Sequence, residues 1–364
     1  MGILETNIMK IKEIKTLLEK KKANYALFYN LNSLSTNPNM FYFSQYSGLG
    51  ALIIPKKQAP LLIVPEMEFQ RAKKGNIKRA YSMDKKKFFE SIHNIIKKRK
   101  LNSKNIAIDN NNFTLNAHKH FKKQFKRTKT KDISLDCLKL RQTKTQKEIQ
   151  ILKKSCDYAS KILKKTINQF KSLKTEAEVA AFLEYESKKL GLDISFPPVV
   201  ASGSNASIPH HEPANKKLKK GFCVMDFGVK YKGYCSDITR TIYLGKPNKK
   251  EKEIYNFLLN IQKNIIKNIK IGNECSKIYE NCVKDLKKYS KYFTHGLGHG
   301  VGVEIHELPN LTLNSKDKIQ ENTVFTIEPG IYIPKKLGIR IEDTILMKKR
   351  PINLTKIPKD LLIV

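Results

Sequence analysis

Apolar residues recur at helical spacing in some stretches of the chain and alternate in others. Over about residues 8–22, Ile11, Ile14, Leu17 and Leu18 fall three and four apart among lysines, which predicts a lysine-rich helix. NYALFY follows as a strand. MFYFSQYSGLGALIIP and then APLLIVP read as strands on either side of the polar turn KKQ. FFESIHNIIKKRK returns to helical spacing, and NIAIDN is a short buried strand. KHFKKQFKRTKTKDISL carries the densest positive charge and reads as an exposed helix end and linker. The texture changes near residue 138, where LKLRQTKTQKEIQILKKSCDYASKILKKTINQF opens a long amphipathic stretch with Ile149, Ile151, Leu152, Ala159, Ile162 and Leu163 at its apolar positions. TEAEVAAFLEYESKKLG predicts a second helix, and further amphipathic runs cover about 249–269 and 274–289. Strands broken by glycine and proline lie between and after them. The pattern sets a boundary that divides the chain into 1–140, of mixed α/β texture, and 141–364.

The chemistry lies in the later part. GFCVMDFGVKYKGYCSDITRTIYLG, residues 221–245, has two alternating arms around a Lys-Gly turn and predicts a β-hairpin. A turn centred on 231–232 sets Asp226 directly opposite Asp237, and one centred on Lys232-Gly233 makes them diagonal neighbours. Both registers put the two carboxylates on one face, about 5 to 8 Å apart, whereas a three-residue loop would put them on opposite faces. Among Phe222, Val224, Met225, Phe227 and Ile238 such a pair repels, and a nearby cation such as Arg240 is one remedy. A second hairpin, NTVFTIEPGIYI and LGIRIEDTILM around PKK, brings Glu328 and Glu342 to one face when its connection has three residues. Four acids on apolar strands, in a chain with 33 acids in all, are not surface decoration.

Composition adds a reason to count imidazoles. The chain has eight histidines, and three of them, His295, His299 and His306, fall in the glycine-rich FTHGLGHGVGVEIHELP. Four carboxylates and at least one imidazole form an oxygen-rich set that suits two divalent cations, whose charge cancels that of the acids. Such ligands favour Mn²⁺, with Co²⁺, Fe²⁺ and Zn²⁺ as alternatives. A pair of ions can share a water and make hydroxide available near neutral pH, so the spacing points to a dinuclear hydrolase.

Charge and cysteine narrow the classes further. The net charge of +37 invites a nucleic-acid reading, yet eight of the 70 basic residues are arginine and the excess is spread along the chain. Specific base and phosphate recognition favours the arginine fork, so we expect no specific nucleic-acid partner. The six cysteines form no C-x-x-C pair, and the N-terminus mixes charge into every turn, unlike a signal peptide. With no apolar run long enough to cross a membrane, a cytoplasmic protein with free thiols and no membrane partner is expected.

VMDFGVKYKGYCSDITRT, FTHGLGHGVGVEIHELP, VFTIEPGIY and GIRIEDTI, in this order and spacing, resemble the methionine aminopeptidase and prolidase superfamily of dinuclear metallopeptidases. FPPVVASGSNASIPHHEP looks like the segment before the first metal aspartate of Xaa-Pro peptidases, and LRQTKTQKEIQILKKSCDYAS like the helix that opens their catalytic domain. The resemblance implies an α+β chain: a pita-bread (creatinase/aminopeptidase) domain over 141–364 and a smaller creatinase-type α/β domain over 1–140. It implies five metal ligands, Asp226, Asp237, His299, Glu328 and Glu342, with Asp237 and Glu342 bridging. His295 and His306 match histidines that hold substrate and stabilise the tetrahedral intermediate, and His210 matches one beside the substrate. Arg340 resembles an arginine near the metals that orients a carboxylate, meets substrate or forms an ion pair behind the ligands. His211 has no counterpart and reads as an exposed neighbour. Cys235 reads as packing, and His93, His118 and His120 as ordinary histidines outside the site.

The activity so implied is hydrolysis of an N-terminal Xaa-Pro bond, with Glu328 moving the proton and His306 and His210 donating to the oxyanion. The expectation is an Xaa-Pro aminopeptidase acting on peptides with proline second, with a prolidase restricted to dipeptides as the alternative. A reading from another class is a non-catalytic binding module of the same fold, against which the full ligand set argues. A homodimer is implied by the resemblance alone.

Overall fold

In the computed structural model, residues 2–31, 36–83 and 87–364 are described, residues 2–8 by their backbone alone. The chain divides into two compact units, 1–140 and 141–364.

Six strands make the sheet of the first unit: β1 (Tyr25–Asn30), β2 (Gly50–Pro55), β3 (Leu61–Val64), β4 (Arg79–Ser82), β5 (Asn105–Ile108) and β6 (Lys129–Asp132), in the order β4-β3-β2-β1-β5-β6. The central strands are buried along their whole length, which is why YALFYN and GALIIP read as unbroken apolar runs. Helices α1 (Gly2–Lys20), α2 (Pro38–Ser44), α3 (Glu66–Lys73), α4 (Phe88–Lys98) and α5 (Leu115–Gln124) accompany it. Phe89, Ile92, Ile96 and Phe121 from α4 and α5 pack with Tyr25, Leu27, Ile53 and Ile106. Two expectations fail here. MFYFS is helical, because the Asn37 side chain caps α2 by accepting from Met40 N, Pro38 starts the first turn, and Gln45 closes the helix in the left-handed region. Residues 129–132 form β6 at the sheet edge, where one side of the strand is solvated and polar residues cost little.

Helix α6 (Ser134–Gln142) precedes α7 (Gln146–Asn168). The long amphipathic stretch thus becomes two helices, separated where Thr145 and Glu148 form a reciprocal capping box. In the second unit α7 and α8 (Glu176–Lys189) cover one half, while α9 (Lys249–Asn268) and α10 (Cys275–Asp285) cover the other. Strands β7 (Asp193–Ile194), β8 (Val199–Ser202), β9 (Gly221–Phe227), β10 (Val229–Tyr231), β11 (Tyr234–Cys235) and β12 (Ile238–Leu244) form two three-stranded sheets, β11-β10-β7 and β12-β9-β8. Strands β13 (Gly298–Gly300), β14 (Glu307–Leu311), β15 (Val324–Ile327), β18 (Asp343–Met347) and β19 (Pro351–Asn353) form a five-stranded sheet, and β16 (Gly330–Ile333) pairs with β17 (Leu337–Arg340).

Both predicted hairpins are present, and both are bent. In the first, Tyr231 pairs with Tyr234 around Lys232 and Gly233, both at positive φ, which fits a two-residue turn. This register sets Asp226 opposite Thr239, so Asp226 and Asp237 are the diagonal pair. In the second, Ile333 pairs with Leu337 around a three-residue loop with Lys335 at positive φ. The same register continues through Ile327 and Asp343, bringing Glu328 and Glu342 level. Each hairpin passes from one sheet to another at its acids: Asp237 lies between β11 and β12, Glu328 between β15 and β16, and Glu342 between β17 and β18. The ladders break at these points, and these three carboxylates sit at the breaks, while Asp226 is paired within β9.

Candidate metal centre and active site

The two bent hairpins are stitched together by one backbone hydrogen bond and by threonine hydroxyls of each hairpin on the backbone of the other. Glu342 N donates to Thr239 O at 3.2 Å. The Thr241 hydroxyl donates to Arg340 O at 2.8 Å and accepts from Arg340 N at 3.1 Å, while the Thr344 hydroxyl donates to Asp237 O at 2.7 Å. These contacts bring Asp226, Asp237, Glu328 and Glu342 to the floor of a cleft of about 550 Å³. Phe196, Pro198, His210, Ile305, His306 and Asn310 contribute to its walls.

His299 reaches the same floor from β13. The approach needs glycine on both sides: a Cβ on Gly298 would lie 2.0 Å from Thr326 O, and one on Gly300 2.1 Å from Leu308 O. Its Nε2 lies 3.5 Å from Asp237 Oδ2 and 3.4 Å from Glu328 Oε1. Its Nδ1 meets Gly300 O at 3.1 Å, and a carbonyl can only accept, so Nδ1 carries the proton. Burial lowers the His299 pKa and keeps the ring neutral. Nε2 is therefore a bare lone pair pointed among carboxylate oxygens. Asp237, His299 and Glu342 can each offer one atom to a common ion, the three atoms lying within 4.8 Å of one another.

The acids carry the complementary strain. Burial first, then Glu342, Asp226 and Glu328, push the Asp237 pKa well up. Burial, then Glu328 and Asp226, do the same to Glu342, and burial leads the rise at Glu328. Asp226 Oδ1 and Glu342 Oε1 are buried without a hydrogen-bond partner, although each carboxylate is held through its other oxygen. Thr239 Oγ1 donates to Glu342 Oε2 at 2.7 Å, and Arg340 Nη2 to Asp226 Oδ2 at 2.6 Å. Oriented carboxylates with open oxygens beside a bare imidazole nitrogen fit a bound cation, which would relieve every one of these costs.

Arg340, not Arg240, is the guanidinium at the acids. Arg240 turns away to Asp343 Oδ1 at 2.8 Å and to Ile357 O at 2.9 Å, because successive side chains on β12 point to opposite faces. Arg340 also donates from Nη1 to the Tyr332 hydroxyl at 2.8 Å, and that oxygen lies 2.9 Å from His295 Nε2. His295 Nδ1 faces Gly296 O at 2.7 Å, so it carries the proton, and the Tyr332 hydroxyl donates to Nε2. Both ring nitrogens of His295 are thus engaged while the ring lies 4.0 Å from Glu328. His306 stacks edge-on against His299 with centroids 4.3 Å apart, and enclosure in the cleft together with His299 and His210 lowers its pKa to about 4. His210 is exposed on the wall.

His211 is not an exposed neighbour. Its Nε2 bonds the buried carboxylate of Glu176 at 2.8 Å. Cys235 is buried with its thiol pKa raised to about 11 by burial, and all six cysteines are buried with no disulfide among them. His93 packs against Phe125 and His118 against Phe113 and Phe121 in the first unit. The sequence reading missed Thr239, Tyr332 and Glu176. The register could have found two of them, since Thr239 faces Asp226 and Tyr332 lies two pairs from Arg340, on the same face of the hairpin.

Similarity to known proteins extends over both units. Residues 150–349 match the Metallopeptidase family M24, and residues 10–143 match the Creatinase/Prolidase N-terminal domain. The chain is 36% identical over 367 residues to the Xaa-Pro dipeptidase of Pyrococcus horikoshii, covering 97% of this chain and 98% of the relative. Among solved structures it is similar to the Xaa-Pro dipeptidase from Bacillus anthracis, with a TM-score of 0.89 at 29% identity, covering 98% of this chain and 100% of that one. It is also similar to the X-Pro aminopeptidase from Thermotoga maritima, with a TM-score of 0.87 at 29% identity, covering 95% and 99%. With a pita-bread domain over its second unit that gathers four acids and a histidine, and a creatinase-type α/β domain as its first, the chain belongs to metallopeptidase family M24 and is a peptidase.

Proposed function

We propose that this chain hydrolyses the peptide bond between an N-terminal residue and a following proline, using two divalent cations. Asp226, Asp237, His299, Glu328 and Glu342 would hold them. The observation that carries this reading is the bare Nε2 of His299 aimed at two carboxylate oxygens. Oxygen-rich ligation favours Mn²⁺, with Co²⁺, Zn²⁺ and Fe²⁺ as alternatives. When bound, such a pair supplies Lewis-acid polarisation and a hydrolytic nucleophile near neutral pH.

The chain's own groups supply the rest. Glu328, whose pKa burial raises, is suited to take a proton and return it to the leaving proline nitrogen. His306 and His210 face the cleft and donate to the developing oxyanion. His295, held by Tyr332 and Gly296, acts as a fixed wall beside Glu328 and the substrate rather than as a free donor. Arg340 holds Asp226 and Tyr332 in place and borders the substrate.

Substrate length divides two readings. The relatives named as Xaa-Pro dipeptidases favour a prolidase. In the cleft, Arg340 is committed to Asp226, Tyr332 and Pro209 O, so that guanidinium is not free to select the carboxylate of a dipeptide. This observation favours the Xaa-Pro aminopeptidase reading, in which longer peptides are accepted. We further propose a cytoplasmic homodimer. Metal analysis of the dialysed protein tests the centre: the expected result is two Mn²⁺ per chain, falling to one or none in Glu342→Gln. Uptake unaffected by that substitution contradicts the assignment.

A further inference from the structure

The wall that carries His210 is held by a carboxylate outside the cleft. Glu176, at the first turn of α8, is fully buried. Its Oε1 accepts from Ser202 N at 2.7 Å, Ser202 Oγ at 2.9 Å and Asn205 Nδ2 at 3.0 Å. Its Oε2 accepts from His211 Nε2 at 2.8 Å and Ala214 N at 3.3 Å. One side chain thus gathers donors from the end of β8, from the 3-10 turn Gly203–Ser207 and from residues 211–214 beyond it. The strand β8 that it ends is the one pairing with β9, with Val199 opposite Asp226.

Between the tie points at Asn205 and His211 the chain carries Pro209, whose carbonyl accepts from Arg340, and His210. The His210 side chain makes no hydrogen bond among the described residues, so its position is set by its backbone alone. That backbone is fixed by Glu176 on both sides, with Ile208 N to Asn205 O and His211 N to Ile208 O closing the turn. We infer that Glu176 is a positioning residue for the peptidase reaction: it acts through His211 and Asn205 to hold His210 over the carboxylate cluster. This rests on the role given to His210 in the proposed function. The buried carboxylate is otherwise hard to explain, since it spans segments that α8 does not need for its own capping, which Thr175 already provides.

Glutamine at 176 has one acceptor oxygen and can satisfy only one of the two donor groups, leaving its amide against Ala214 N. Four enzymes loaded with Mn²⁺ test the inference on Ala-Pro-Ala: wild type, Glu176→Gln, His210→Ala and the double variant. We expect Glu176→Gln to lower kcat/KM about tenfold to hundredfold, the cost of misplacing a group by an ångström. In the His210→Ala background the same change is expected to cost less than about threefold, because the two act as one unit. Hydrogen exchange of the same proteins reads the hold directly and should rise over residues 203–214 while staying unchanged on α7 and α9. His211→Ala, on the partly exposed side, provides the test if Glu176→Gln does not fold, and His211→Gln, which keeps a donor, should restore most of the loss. Losses that multiply with a damaging His210→Ala, or unchanged exchange over 203–214, overturn this inference alone. A silent His210→Ala overturns both it and the role assigned to His210.

Discussion

At the scale of single residues, the site is a set of charges that folding brings together against their own repulsion. Buried carboxylates without counter-ions are costly, and Arg340 compensates one of four. The remaining excess fits bound cations. One consequence separates binding from stability. Glu342→Gln removes a buried acid whose ionisation burial, Glu328 and Asp226 oppose and whose Oε1 has no hydrogen-bond partner, so the metal-free variant should melt about 2–4 °C above the metal-free wild type, the equivalent of roughly 1 kcal/mol in a domain of this size. With Mn²⁺ present the order should reverse, because the wild type alone gains the full binding energy. Calorimetry with and without metal reads both, and a variant less stable than wild type in both states would contradict the reading.

At the scale of elements, what matters is that the two hairpins bend at their acids. Alternation along the strands was legible in the sequence, and so were the two possible registers, because side-chain period and turn residues fix them. The bend was not, since it comes from pairing with β8 on one side and β13 on the other, partners distant in sequence. MFYFS went astray for a related reason: its aromatic residues suit strand and buried helix alike, and the cap at Asn37 decided between them. The glycines flanking His299 were legible as a need for close approach, and the structure shows against what. Gly298→Ala would drive its methyl into Thr326 O, and we expect β13 to shift away from β15 with a loss of about 1–3 kcal/mol in stability. Activity should fall at least about tenfold as His299 moves with the strand. Denaturant unfolding and kcat/KM together check this, and a variant of normal stability and activity would show the contact to be soft.

At the scale of the whole molecule, the +37 charge and the acid-dependent stability are separate matters. The surface lysines govern solubility and salt-dependent attraction to polyanions, and they say little about the fold. Stability at low pH rests instead on a few buried acids. Burial alone would raise the pKa of Glu176, yet the bonds from Ser202, His211 and Asn205 outweigh it and hold the group below its ordinary value. Lys144 and Arg141 outweigh burial at Glu307 in the same way. A depressed carboxylate stabilises the fold fully above its unfolded pKa, near 4.5, and that contribution is lost as pH falls through the folded value. The protein should therefore lose stability progressively below about pH 4.5 from these two groups, and acid titration of Tm in Glu307→Gln should show a shallower slope there. Lys144→Met, which removes the nearer of the two cations on buried Glu307, should cost about 3–5 kcal/mol at pH 7, measured by denaturant unfolding. A loss below 1 kcal/mol would show that Arg141 alone suffices.

The most direct test of the central claim is product analysis after metal-stripped protein, reloaded with Mn²⁺, is given Ala-Pro, Ala-Pro-Ala and Ala-Ala-Ala, with Asp237→Ala as the control. The account predicts release of alanine from Ala-Pro-Ala, none from Ala-Ala-Ala, and no activity in Asp237→Ala. Cleavage of Ala-Pro alone would make the enzyme a prolidase and keep the centre as described. Failure to cut either proline peptide while two Mn²⁺ are bound would contradict the Xaa-Pro assignment, and failure to bind metal at all would contradict the reading of the site.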